Sequence, residues 1–227
     1  MLTAHEISDR LAQVQGRIAD AAKLAGREAK SVRLVLASKT QPPEAVAAAY
    51  AAGAREFGEN YVQEAAAKRS ALGQHDLRWH LIGHLQTNKA RTAVATFDLI
   101  QTLDDQRLAA ALFRLRPSPL IPVLVEINLA GESSKSGIEP KHAEALINSM
   151  REQVNVRGLM AIPPATPTAE AARPFFRELR ELRDRLAALT GLALPELSMG
   201  MTDDFVAAIL EGATIVRVGR AVFGERQ

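Results

Sequence analysis

The chain contains no cysteine, which excludes disulfides, thiolate metal sites and cysteine nucleophiles together. That absence suits a reducing compartment, and the cytoplasm is the expected location. No apolar run approaches the roughly 20 residues a membrane-spanning helix needs, so no membrane association is expected. The opening Met1-Leu2-Thr3-Ala4-His5-Glu6 is charged early and lacks the apolar stretch of a secretory leader. A dinucleotide fingerprint is missing as well. No G-x-G-x-x-G follows the first apolar run, and Lys39 stands in that position. Nor is there a stripe of one charge, because 28 Lys and Arg are balanced by 26 Asp and Glu. They interleave, as in Arg177, Glu178, Arg180, Glu181, Arg183 and Asp184, so this segment reads as a solvated helix surface and no nucleic-acid partner is expected.

With 227 residues, 47% of them hydrophobic, the chain is long enough for one substantial core. Ile7, Leu11, Val14, Ile18 and Ala22 recur at helical spacing, and Gly26 offers a stop. Then a rhythm of short apolar runs and helical patterns begins. The runs are Arg33 to Ser38, Glu56-Phe57, Arg78 to Gly83, Asp98 to Thr102, Ile121 to Asn128, Val156 to Ile162, Leu197 to Gly200 and Thr214 to Gly219. Pro42-Pro43 ends the first run and suits the first turn of a helix. The segment from Thr168 to Thr190 carries an apolar stripe of Ala172, Phe175, Phe176, Leu179, Leu182, Leu186 and Leu189, fit to cover a parallel sheet. About eight β/α units follow, and the fold expected is α/β: a single-domain (β/α)8 TIM-like barrel over residues 1–227, with an extra N-terminal helix.

Strand alternation selects the candidate site residues. In Val35-Leu36-Ala37-Ser38-Lys39, Val35, Ala37 and Lys39 share a face, and Lys39 falls at the carboxyl end of the strand, where barrels build active sites. A lysine in a partly dry mouth is a good nucleophile toward an aldehyde, giving a Schiff base. Taken alone, this fragment better fits a lysine that merely snorkels to solvent at the strand end. The last two loops contain Ser198-Met199-Gly200-Met201 and Gly219-Arg220, a pair that phosphate-binding barrels commonly use. Asp203 and Asp204, expected in the first turn of the helix between them, would repel phosphate, which is therefore set against Ser198, Met199, Gly219 and Arg220. An ordinary helix capped by Thr202 is the plainer alternative. In the final run Ile215, Arg217 and Gly219 share the inward face. Arg217 then needs an acceptor, either a pyridine nitrogen or a core carboxylate such as Glu126. Phe57 to Glu64, Trp79 to Lys89 and Gly131 to Gly137 supply further polar groups beside strand ends, including Asn60, His80, His84 and Lys135.

These segments together resemble the YggS/PROSC family of pyridoxal phosphate (PLP) homeostasis proteins along nearly the whole chain. The carriers are Ala37-Ser38-Lys39-Thr40, Phe57-Gly58-Glu59-Asn60-Tyr61, Trp79 to Lys89, Ser134-Lys135-Ser136-Gly137, Gly158-Leu159-Met160, Leu197 to Met201 and Val216-Arg217-Val218-Gly219. The resemblance implies a barrel like the cofactor domain of alanine racemase. It implies Lys39 as the Schiff-base lysine, Arg217 near the pyridine nitrogen, and Ser198, Met199, Gly200, Gly219 and Arg220 around the phosphate, with Asn60, His80 and Met160 also at the cofactor. It further implies a non-catalytic carrier or regulator of intracellular PLP (vitamin B6), with PLP-dependent apoenzymes as partners and a monomer rather than a dimer. Racemases need a second acid-base group opposite the lysine, and the few residues after Gly219 leave no room for the extra domain that builds that face. The alternative is a PLP-dependent racemase or lyase using His80, Tyr61 or Lys135 for proton transfer. A cofactor-free Schiff-base aldolase is a third class.

Overall fold

Residues Arg33–Ala37 form strand β1, and its two faces separate two cores. Val35 packs inside with Leu99, Leu124, Met160 and Ile215, whereas Leu36 belongs to the larger cluster under the helices. This period-two division is what closes the sheet. The computed structural model, described here for residues 2–73, 76–131 and 136–225, is an eight-stranded, fully parallel closed barrel in sequence order. The further strands are β2 (Glu56–Glu59), β3 (Arg78–Leu81), β4 (Leu99–Leu103), β5 (Pro122–Glu126), β6 (Asn155–Met160), β7 (Glu196–Ser198) and β8 (Ile215–Val218), with β8 pairing back onto β1.

Helix α1 (Ala4–Leu24) precedes the barrel. Thr3 and Glu6 form a capping box at its start. At its end Gly26 adopts φ 68°, and Arg27 N–H reaches back to Ala22 C=O at 2.8 Å. This is the αL stop expected of a glycine just past a helix. The buried Ile7, Leu11, Val14 and Ile18 seat α1 against α2 (Pro43–Ala51), α8 (Phe205–Leu210) and α9 (Arg220–Phe223). Between the other strands run α3 (Val62–Leu72), α4 (Ala90–Thr96), α5 (Gln106–Leu115), α6 (Ala143–Met150) and α7 (Ala169–Thr190). No helix among the described residues is long and apolar enough to cross a membrane.

Two expectations about α7 need correction. Its apolar stripe is buried at Ala172, Phe176, Leu179, Leu182 and Leu186, but Leu189 is 57% exposed at the helix end. Its arginines are not simply solvated. Arg173, Arg177 and Arg180 converge on Glu211, which is buried at the end of α8, at 2.8, 3.0 and 3.4 Å. A buried carboxylate needs such partners, and the pairing ties α7 to α8. Local charge alternation does not reveal it, because the partner comes from the next helix.

Candidate functional site

At the carboxyl end of the barrel a cavity of about 200 Å³ is lined by residues from β1, β8 and the loops that follow several strands. Ala37, Lys39, Asn60, Ile82, Arg217 and Gly219 contribute to its wall, with Arg220, Thr202, Asp203 and Phe223 on the side of α9. Lys39 is half-buried there, as its place at the strand end predicts. The strand stops because Thr40 adopts φ 65° and Pro42-Pro43 begins α2.

Arg217 points inward from β8 between the outward Val216 and Val218, and is 4% exposed. Its Nη1 donates to Ser198 Oγ at 2.5 Å and its Nη2 to the Ala161 carbonyl at 3.0 Å. Glu126 acts on it as a charge, and the guanidinium's direct partners are this hydroxyl and this carbonyl. Burial pushes Arg217 down to about 10, with the charges of Glu126 and Asp204 opposing, so it stays a cation at neutral pH. Glu126, inward at the end of β5, is pushed up to about 7 by burial and by Asp104, against the pull of Arg217. Its Oε2 is buried with no hydrogen-bond partner among the described residues.

Of the ten residues assigned to the cofactor from the sequence, the structure gathers five around this cavity: Lys39, Asn60, Arg217, Gly219 and Arg220. The other five lie elsewhere. Ser198 is fully buried beneath Arg217 and has its hydroxyl engaged on both sides, donating to Gln101 Oε1 at 2.6 Å. Met199 packs toward the helices, and Gly200 forms the turn whose carbonyl accepts from Arg217 N–H. Met160 fills the barrel interior beside Val35. His80 lies deep in the barrel, 1% exposed, with Nδ1 2.9 Å from Gln101 Nε2 and Nε2 3.2 Å from Glu56 Oε2. It opens onto a separate cavity with Arg33, Arg78 and Glu196, residues of the strand starts. His84 is exposed in the loop after β3, so the two histidines sit on different elements. Lys135 lies outside the described residues.

The helix after Ser198-Met199-Gly200-Met201 starts later than expected, at Phe205, with Asp204 in the capping position rather than Thr202. Asp204 Oδ1 accepts from Met201 N–H at 2.6 Å, and Asp203 pairs with Arg220 across the cavity edge. Neither aspartate occupies the first turn, and the negative charge of Asp203 is met by a cation. Ala37 shares the inward face with Lys39, as strand alternation predicts. Ile82 was not assigned to the site from sequence, although it stands two residues on from His80, and period two is the signal that finds it.

The cavity's chemistry suits PLP. An amine, an inward guanidinium and a glycine surround one space of limited size. At Gly219 an added Cβ would stand 3.0 Å from the Ala37 carbonyl oxygen, so the bare backbone lets the end of β8 approach β1 closely beside the cavity.

The alanine racemase N-terminal domain family matches residues 10–227. A pyridoxal phosphate homeostasis protein of Aquifex aeolicus is 45% identical over 96% of this chain and 98% of its own. One of Escherichia coli K12 is 42% identical over 98% and 97%. PipY of Synechococcus elongatus, solved with PLP bound, superposes with a TM-score of 0.82 at 38% identity, covering 96% of this chain and all of that one. Alanine racemase of Corynebacterium glutamicum, at 16% identity, shares the fold alone, with a TM-score of 0.70 over 98% of this chain and 61% of its own. On this match of sequence and barrel across almost its whole length, the chain belongs to the pyridoxal phosphate homeostasis proteins of the alanine racemase N-terminal domain family.

Proposed function

We propose that this protein binds PLP in the cavity above Arg217, holds it through Lys39, and gives it up unchanged, as a non-catalytic carrier and regulator of intracellular PLP. The observation that carries this reading is the meeting of half-buried Lys39 and buried, cationic Arg217 on a single cavity. When bound, the cofactor would supply an electrophilic aldehyde, and the Lys39 amine is the group that would hold it there. The Gly219 and Arg220 backbone at the start of α9, with the Arg220 side chain beside it, receives the phosphate. Asn60 contacts the cofactor from the β2 end. His80, Met160 and Ser198 act from behind the cavity wall. Relatives named for PLP homeostasis and a PLP-bound PipY support the ligand.

Arg217 supports a carrier over an enzyme. A guanidinium donates hydrogen bonds and accepts none, so beside the pyridine nitrogen it disfavours protonation of that nitrogen and weakens the electron sink that amino-acid chemistry requires. The protein works as one domain over residues 1–227, as a cytoplasmic monomer that passes PLP to apoenzymes.

The purified protein incubated with PLP is expected to turn yellow, and borohydride reduction to fix a pyridoxyl mass on the Lys39 peptide, absent in Lys39→Ala. A colourless wild type that takes no adduct overturns the reading. Exchange of an amino acid's α-hydrogen in deuterated water by the loaded protein would overturn the carrier role and support a racemase or lyase.

A further inference from the structure

Lys39 leaves β1 between two residues that are tied to the same buried cluster. On one side, Ser38 Oγ donates to Glu59 Oε1 at 2.7 Å, and the Ser38 carbonyl accepts from Lys68 Nζ at 2.7 Å. On the other, Thr40 N–H donates to Glu64 Oε1 at 2.7 Å. Lys68 joins the two halves, reaching Glu59 Oε1 at 2.8 Å and Glu64 Oε1 at 2.7 Å. Ser38 and Glu59 are fully buried and Lys68 is 4% exposed. None of the cluster's side chains lines the cofactor cavity.

An ammonium has three N–H donors, and those of Lys68 meet three acceptors: Ser38 C=O, Glu59 and Glu64. Its nitrogen is fully committed, so it is no rival to Lys39 as the reacting amine. A buried ion cluster is expensive to desolvate, and here its hydrogen bonds converge on the backbone either side of one lysine. Thr40 explains what they hold. It sits at φ 65°, a left-handed conformation that a β-branched residue rarely takes. Such strain persists only where surrounding contacts over-determine it, and the Glu64 carboxylate on the Thr40 amide is such a contact.

From this geometry we infer that Glu64 and Lys68 are positioning residues for Lys39, fixing Ser38 and Thr40 in the backbone conformation that presents the Lys39 amine to the cavity. Glu64 grips Thr40 directly. Lys68 pairs with both Glu64 and Glu59 and anchors Ser38. The inference rests on the reading that Lys39 condenses with the cofactor's aldehyde.

The test compares PLP with pyridoxine 5'-phosphate, which carries an alcohol in place of the aldehyde and so reports the rest of the site without the lysine bond. In Glu64→Ala the yellow band is expected to appear about tenfold to a hundredfold more slowly, the upper figure being what a displacement near 1 Å can cost. Affinity for pyridoxine 5'-phosphate should stay within about threefold, because Arg217, Gly219 and Arg220 are untouched. Thr40→Gly should restore most of the rate in the Glu64→Ala background, since glycine takes a positive φ without strain. Glu64→Gln keeps an acceptor for the Thr40 amide and should fall between the two. If the alanine variant does not fold, Glu64→Gln with and without Thr40→Gly carries the same comparison. A wild type that forms the band while Glu64→Ala forms it equally fast overturns the inference alone, as does an equal loss of both ligands or a failure of Thr40→Gly to rescue. A wild type that forms no band overturns the Lys39 reading and the inference with it.

Discussion

Ser198 sits between Arg217 and Gln101, accepting from the guanidinium at 2.5 Å and donating to the amide oxygen at 2.6 Å. The chain of contacts continues downward. Gln101 Nε2 meets His80 Nδ1 at 2.9 Å, and His80 Nε2 faces Glu56 Oε2 at 3.2 Å. The amide nitrogen donates, so Nδ1 accepts and the tautomer assigned to His80 carries its proton on Nε2, toward the carboxylate. Donors therefore run in one direction from the cofactor cavity to the strand starts. Glu56 remains ionised: burial pushes it up, but His80, Arg33 and Arg78 more than offset that and hold it below the usual carboxylate value.

Ser198→Ala should loosen Arg217 and leave Gln101 Oε1 without its donor. The expected cost is about 1–3 kcal/mol for an orphaned buried polar group, read by urea unfolding of the cofactor-free protein. PLP affinity should fall with it, since the guanidinium loses one of its two anchors. Unchanged stability would show that water replaces the hydroxyl.

His80→Ala should act on stability before binding. It orphans Gln101 Nε2 and takes the neighbour from a buried carboxylate, at roughly 2–3 kcal/mol. PLP affinity should drop far less than in Arg217→Ala, because His80 stands outside the cavity wall. Binding lost at full stability would instead return His80 to the cofactor.

Glu126 makes stability depend on pH. Its folded value near 7 lies above the ordinary 4.5. Between those values the folded state holds a proton that the unfolded chain releases, so stability falls as pH rises through this window and the penalty is complete above it. Glu126→Gln removes the ionisation. The variant should gain on wild type from pH 5 to pH 8, by no more than about 3 kcal/mol, measured by unfolding at each pH. A difference that does not grow with pH would refute the assignment.

Gly83→Ala should disturb the site from behind. An added Cβ would lie 2.5 Å from the Asn60 carbonyl oxygen and 2.7 Å from its Cα, so backbone must move. Overpacking of this kind costs typically about 1–3 kcal/mol, and here it displaces Asn60 from the cavity. Calorimetry should show weaker binding of both PLP and pyridoxine 5'-phosphate. That pattern distinguishes it from Glu64→Ala, which spares the second ligand.

Much of this arrangement was legible in the sequence. All eight apolar runs are strands, the glycine after α1 ends it, and alternation correctly turned Arg217 inward and placed Lys39 at a strand end. Where inward-facing residues do not reach the cavity, height along the barrel is the reason. His80 and Ser198 do face inward, but inwardness does not say at which layer a side chain stands. Strand stagger sets that. In β4, alternation from Leu99 already puts Gln101 inside, and a register shift between Ile100 and Leu103 turns Leu103 outside. Asp203 was misjudged for a local reason, since its helix starts two residues later and Arg220 arrives from the start of α9.

Sequence alone determined the alternation of strands and helices, which residues turn toward the barrel axis, and the presence of a lysine and an arginine at its carboxyl end, because these follow from backbone periods of 2 and 3.6. Tertiary structure decided which polar groups meet. Lys68 comes from α3 to brace the turn at Lys39, and Gln101 links Ser198 to His80. Such contacts depend on how eight strands are staggered when the sheet closes, a property of the whole ring and of no single segment.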